Sequence, residues 1–394
     1  VAVTPRTRLA LALFAAALAV RPLAVSVGPL LPSMQADLGM SPVVSGLLGT
    51  VPIICLGLFA PVGAWLAGRL RPRPALGLAL VLVVLFGAAR AGAPNVEVLV
   101  ALTVGLGIGM GLAGSLPAMI IKARAPGHPG FMTGMYGTGV VAGAAAATAL
   151  IVLLAQLADG WRGATLLLSI PVLAAVLIGY RLLGPDPHEV RAGEGLRIHW
   201  ADAIAWLMAL LFGLQSFVYW GLVIWLAEVL QAMGWTSAGA GTMVTVFQLS
   251  SLAAVLGAGY IADRFGTRRM QLRVVSIGFT LALAGLAAVP ALTVLWVALA
   301  GASLGMAFPL ILALPVDYAS DDRDAGSKAS LMLLFGYLVA AVGPTAVGLV
   351  RDATDGVAPV FWLLAAMGAA FFVLTAWVRP STRATPLDVP ITTD

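Results

Sequence analysis

From Leu9 to Pro32 the sequence is apolar except for a single charge, Arg21, in the stretch VRPLAVSVGPLL at 20–31. Arg8 precedes it by 13 residues and Asp37 follows by 16, which on a helix is about 20 Å and about 24 Å. If this run crosses a bilayer, neither surface is within easy reach of the side chain. A charge at that depth must face a polar cavity, a partner or a ligand. A guanidinium offers several donors in a fixed planar fork, which suits small planar anions and heteroatom-rich rings. The competing reading ties Arg21 permanently to backbone carbonyls, such as those freed at Pro117 or Pro309. Gln215 and Tyr219 are i and i+4 in a second apolar run, so both hydrogen-bonding groups fall on one helix face at mid-depth. They read as a pore lining or as a polar helix–helix contact. This is the chemistry of recognition. There is no Ser–His–Asp set, no HExxH, no phosphate loop GxxxxGK and no carboxylate pair inside the apolar runs. Cys55 is the one cysteine, and His128, His188 and His199 fall in or beside loops. No catalytic residue, metal or cofactor is expected. Asp37, Glu228 and Asp317 lie near run ends, and Glu228 is the best candidate for proton coupling.

The elements that must position these residues are membrane helices. The chain is 61% hydrophobic and 10% charged, far below the charge of a soluble domain. Apolar runs long enough to span a bilayer recur at about 9–33, 44–68, 75–93, 96–121, 131–156, 163–183, 201–228, 239–262, 270–289, 291–316, 327–350 and 358–378. They are too long and too uniform for barrel strands. The first is read as a retained span, too long for a cleaved leader. With the N-terminus placed in the cytoplasm, all of the 22 Lys and Arg residues except Arg21, Arg90, Arg162 and Arg351 fall on the cytoplasmic side. The expectation is a multi-pass protein of the plasma (inner) membrane with both termini cytoplasmic. In a membrane protein this distribution matters more than the net charge of +5, and nucleic acid is not an expected partner.

The polar segment 184–200 divides the chain into residues 1–183 and 201–380, with a tail at 381–394. The halves are related. ADLGMSPVVSGLLGTV at 36–51 aligns with QAMGWTSAGAGTMVTV at 231–246, so that Gly39 meets Gly234 and Gly46 meets Gly241. The same offset sets AGRLRPR at 67–73 on ADRFGTR at 262–268. SLP at 115–117 and AFP at 307–309 also correspond, and matched helix interruptions in two repeats point to a binding region. Pro117 and Pro309 are therefore read as hinges. Ser115 and Phe308 beside them, with Tyr337, join Arg21, Gln215 and Tyr219 as candidate substrate-binding residues.

The loop GYIADRFGTRR at 259–269 resembles the signature loop of the major facilitator superfamily. Within it, the resemblance points to the cyanate and 2-nitroimidazole transporter branch. That likeness is carried by RPLAVSVGPLLP at 21–32, LQSFVYWGLVIWL at 214–226, TGMYGTGVVAG at 133–143, GWR at 160–162 and GYLVAAVGPTAVGLVRD at 336–352. It departs at Ala227-Glu228 and at Leu333, where that branch leads one to expect a proline and a glutamine. The resemblance implies an all-α membrane fold of twelve transmembrane helices in two pseudo-symmetric six-helix bundles. It implies a monomer, a first helix lining the central cavity and alternating access. It further implies a cytoplasmic latch formed by Asp263, Arg264, Gly266 and Arg268. The expected partners are a small-molecule substrate, anionic or polar and planar, with protons and the lipid bilayer. The expected activity is secondary or facilitative transport of that solute, not enzymatic turnover. Proton-coupled drug efflux is the alternative transporter, and a non-transporting membrane sensor the alternative of another class.

Three further features carry structural readings. The small residues of GLGIGMGLAGS at 105–115 and GTGVVAGAAAATA at 137–149 suggest close helix packing. Arg90, four residues before Pro94, is expected to reach the membrane surface along its own side chain. Phe217, Tyr219, Trp220 and Trp225 are read as partly bilayer-facing, with Trp225 at an interface.

Overall fold

The computed structural model describes residues 4–125, 129–158, 160–185, 200–264, 267–320, 322–354 and 356–378, the side chains of 129–130, 259–264 and 322–323 excepted. These residues are helical almost throughout, and twelve of the helical stretches are long and apolar enough to cross a membrane. The first span is broken into α1 (Pro5–Leu18), α2 (Pro22–Val25) and α3 (Val27–Leu38). The remaining spans of the first half are α4 (Pro42–Leu70), α5 (Pro72–Ala89), α6 (Val96–Arg124), α7 (Pro129–Leu157) and α8 (Trp161–Leu183). The second half holds α9 (Ala203–Ala232), α10 (Ser237–Arg264), α11 (Arg268–Ala288), α12 (Thr293–Asp317), α13 (Asp322–Ala353) and α14 (Ala358–Leu374). Two six-helix bundles result.

The repeat is visible in the backbone. Helices α4 and α10 begin at the positions the sequence offset aligns, Pro42 and Ser237. Just before them, Gly39 and Gly234 both take positive φ, 62° and 92°. A residue with a side chain is strained there, so glycine ends the preceding helix in each half. The bundles meet through α4 against α13, α7 against α10 and α3 against α9. The first two pairs exchange under the repeat, as a two-fold relation between halves requires.

Contact between bundles is closest at the end that carries Asp37 and Ser41. A Cβ on Gly28 would overlap the Val223 carbonyl, and one on Gly46 would sit 2.7 Å from the Pro344 carbonyl oxygen. Thr50 bonds across the same seam to Thr345 at 2.7 Å and to the Ala341 carbonyl at 2.6 Å. Small residues also set packing within the first bundle. Gly139 and Gly143 of α7 lie against the backbone at Phe14 and Leu18, and Gly107 and Gly111 of α6 lie against Cys55. The close-packing reading holds for these glycines.

Two expectations are corrected here. Arg90 does not extend to a surface. It is 2% exposed and donates to the carbonyl of Leu23. The four aromatic side chains expected to face lipid from α9 do not. Phe217, Tyr219, Trp220 and Trp225 are all buried, and the Trp225 indole N–H donates to the Pro344 carbonyl at 2.8 Å. Lipid and protein interior are equally apolar, so hydropathy cannot tell a lipid-facing ring from a packed one.

Candidate substrate site

The break in the first span is built by Pro22. Proline has no N–H, so the carbonyl of Leu18 loses its helical donor, and the residue before proline is pushed away from regular helix. That residue is Arg21, at φ −104° and ψ −24°. Its own carbonyl accepts from Ala24 and Val25 at 3.0 Å and starts α2. Beyond the break, the Leu23 carbonyl accepts from the Ser26 hydroxyl at 3.3 Å and from Arg90. The guanidinium of Arg21 thus projects from a fixed kink.

It enters a cage of rings. The Arg21 guanidinium carbon lies 5.4 Å from the Trp220 ring centre and 5.9 Å from those of Tyr219 and Phe308. At these distances each ring face attracts a cation. Tyr136 and Tyr337 are close enough to interact electrostatically with it. Among the described residues the ion pairs are Arg162–Asp37, Arg268–Asp317, Lys328–Asp202, Lys328–Asp324 and Arg351–Glu228, and Arg21 belongs to none. The charge is surrounded by ring faces and hydrogen-bonds to the Tyr337 hydroxyl.

Gln215 and Tyr219 share a face as their spacing requires, and both line the cavity with Arg21, Phe308 and Tyr337. Gln215 Nε2 donates to the Leu304 carbonyl at 3.2 Å, and its Oε1 accepts from the Ser216 hydroxyl at 3.0 Å. Tyr219 donates to Gln248 Oε1 at 3.1 Å. Pro309 frees the carbonyl of Gly305, itself part of the cavity wall. Phe212 braces the far side, stacked edge-on against Tyr337 at 5.0 Å. The cavity holds about 20 Å³, room for a single water. A larger solute needs the bundles to move.

The other candidates lie elsewhere. The Ser115 hydroxyl donates to the Ala60 carbonyl at 2.8 Å and ties α6 to α4, and Ser115 is not among the cavity-lining residues. Pro117 is inside α6 and buried. Both oxygens of Glu228 accept from Arg351, at 2.9 and 3.3 Å, which joins α9 to α13 near one bundle end. Arg268 donates to Asp317 at 2.9 Å and to Gln271 at 3.3 Å, joining α11 to α12. The side chains of Asp263 and Arg264 and the whole of Gly266 lie outside the described residues, as do the three histidines. At the same end, Lys328 pairs with Asp202 at 2.9 Å and with Asp324. Burial alone would raise the Asp202 carboxyl. Lys328 and the amides of Ala205 and Ile204 more than offset this and hold it below the usual carboxylate range.

The sequence reading missed Tyr136, Ser216, Gln248 and Ser251. Gln248 and Ser251 are i and i+3 in FQLSS, polar residues deep in a span, so the spacing rule that found Gln215 and Tyr219 could have found them.

The Major Facilitator Superfamily profile matches residues 9–236 and 205–392. The chain belongs to the major facilitator superfamily. It is 31% identical over 361 residues to an uncharacterised transporter of Bacillus subtilis, covering 89% of each chain. It is 28% identical to the 2-nitroimidazole transporter of Escherichia coli, covering 88% of this chain and 87% of that one. It is 26% identical to the Escherichia coli cyanate transport protein, over 84% and 87%. In three dimensions it superposes on the inward-open xylose transporter of Escherichia coli with a TM-score of 0.77 at 17% identity, covering 97% of this chain and 98% of that chain. A nucleoside transporter gives 0.74 at 12% identity, over 93% and 99%. This major facilitator is therefore a multi-pass membrane transporter of a small molecule, and its relatives are transporters and not enzymes.

Proposed function

We propose that this transporter moves a small anion or a small, planar, polar heterocycle, of cyanate or nitroimidazole type, by alternating access across the plasma (inner) membrane. One observation carries the reading. Arg21 stands at a helix break inside a ring cage, with the Tyr337 hydroxyl as its hydrogen-bond partner and no carboxylate partner among the described residues. A half-buried cation held only by neutral groups favours a ligand that brings negative charge or acceptor atoms. Gln215, Tyr219, Phe308 and Tyr337 complete the site. Two relatives are named for a nitroimidazole and for cyanate, both of which are planar or linear and rich in acceptors.

In this reading the arginine-rich ends of the helices, with both chain termini, are cytoplasmic. The tight end at Gly28 and Gly46 then closes the site from the outside. Residues 1–183 and 201–380 move as two bodies about the 184–200 connection, with 381–394 as a cytoplasmic tail. Pro117 and Pro309 serve as hinges, and Asp263, Arg264, Gly266 and Arg268 as the cytoplasmic latch. Counterflow in proteoliposomes tests the reading. Labelled 2-nitroimidazole or cyanate should exchange against unlabelled solute in wild type and not in Arg21→Ala. Exchange of neither solute, or equal exchange in the variant, contradicts it.

A further inference from the structure

Two hydroxyl hydrogens of the site are already allotted, and this limits what can bind beside them. Tyr219 has one hydroxyl hydrogen, and it goes to Gln248 Oε1 at 3.1 Å. Ser216 likewise has one, and it goes to Gln215 Oε1 at 3.0 Å. Both residues line the cavity, and with their hydrogens so placed their hydroxyls can offer it only lone pairs. Arg21, in the same cavity, can offer only donors. Gln248 is fully buried, and its Nε2 has no partner among the described residues. It stands one helical turn from Ser251 and two from Val255, both cavity-lining, so it shares their face of α10. The wall thus sets the donors of Arg21 against accepting hydroxyls at Tyr219 and Ser216, and the Gln248 amide behind Tyr219 has no acceptor among the described residues.

We infer that this site selects a planar molecule carrying both an acceptor substituent and a ring N–H, over an anion that has acceptors alone, and that Gln248 sets this preference by fixing the direction of the Tyr219 hydroxyl. This rests on the proposed substrate reading and narrows it. An acceptor-only anion is met well by Arg21 but turns its remaining lone pairs toward those of Tyr219 and Ser216. An N–H heterocycle with a nitro, carbonyl or carboxylate group satisfies both sides. Gln248 is a positioning residue, and Tyr219 and Ser216 make the contact.

The test is binding by calorimetry to the purified full-length protein, in mildly acidic buffer that keeps the ring N–H. The probes are 2-nitroimidazole, its 1-methyl and 4-methyl derivatives, and cyanate. The 1-methyl compound loses the N–H, whereas the 4-methyl isomer adds the same bulk and keeps it. The expected result is that 1-methylation weakens binding about tenfold or more, while 4-methylation costs about threefold or less. Cyanate should bind more weakly than 2-nitroimidazole. In Gln248→Leu the Tyr219 hydroxyl is free to turn, and the ratio between parent and 1-methyl compound should fall toward one. Tyr219→Phe should collapse the same ratio and serves if Gln248→Leu does not fold. A ratio of affinities is insensitive to partial loss of folded protein. The inference is overturned if 1-methyl-2-nitroimidazole binds as tightly as the parent, if cyanate binds more tightly, or if both variants keep the wild-type ratio. Binding of all four probes without an N–H penalty, dependent on Arg21, leaves the substrate reading intact and removes this one. Binding of none removes both.

Discussion

Arg90 holds the break that aims Arg21, and replacing it with methionine separates positioning from stability. The side chain is 2% exposed, one of its terminal nitrogens bonds the Leu23 carbonyl, and the other has no partner among the described residues. Loss of a hydrogen bond from a charged donor costs about 1.5–3 kcal/mol. Against that, removing a buried cation without a carboxylate relieves a desolvation penalty of several kcal/mol. The terms oppose, and methionine fills most of the volume. Global stability should change by roughly 1 kcal/mol or less, about 2 °C in melting temperature for a chain of this size. The Leu23 carbonyl keeps only the Ser26 hydroxyl at 3.3 Å, so the kink loosens two residues from Arg21. Loss of about one hydrogen bond to substrate is then expected, roughly tenfold in Kd. The assays are a thermal melt by intrinsic fluorescence and the KM for counterflow in proteoliposomes. Wild-type KM in Arg90→Met, at an unchanged melting temperature, would refute the positioning role. A fall of about 10 °C with unchanged KM in the folded fraction would show Arg90 to be a packing element alone.

Glu228→Gln distinguishes a strut from a proton carrier. The two-point pairing with Arg351 predicts a loss of about 1–3 kcal/mol in stability with the pH profile of uptake retained, whereas loss of pH dependence would assign proton coupling to Glu228. Gly28→Ala inserts a methyl group into the Val223 carbonyl across the bundle seam, so closure at that end should fail. Cysteines placed at that seam should become accessible to maleimide from outside the cell, and unchanged labelling would contradict the packing described. Asp202 is held below its ordinary range, so its contribution to stability is present above pH about 4 and is lost as pH falls through its folded value. Asp202→Asn keeps the helix cap to Ile204 and Ala205 but should lower the melting temperature at pH 7 and flatten its decline in acid, and an identical acid profile in both proteins would count against this.

Span positions were legible because bilayer thickness imposes length on every apolar run. The repeat was legible at Gly39 and Gly234, where one backbone conformation admits few residue types. Arg21 stood out because charge is scarce at that depth. Its neighbours were harder to read. Pro22 announces a break, but a proline near a span end and one at a site look alike in sequence. Trp220 reads as one of a partly bilayer-facing set until the fold sets it over Arg21 at 5.4 Å. Arg90 could reach a surface by length, and only packing shows that it turns inward to Leu23. The position of Gln248 was legible from its spacing to Ser251, but its bond to Tyr219, 29 residues away in the chain, was not. Such pairings arise from helix packing and leave little trace in local composition.

Calorimetric binding of 2-nitroimidazole and cyanate to wild type, Arg21→Ala and Arg21→Lys bears most directly on the central claim, that Arg21 anchors the substrate. Wild type should bind at least one of them. Arg21→Ala should show no binding while remaining monodisperse, with a melting temperature within a few degrees of wild type. Arg21→Lys keeps the charge and loses the planar fork, so its affinity should fall by about tenfold or more. Wild-type affinity in a monodisperse Arg21→Ala protein would contradict the account.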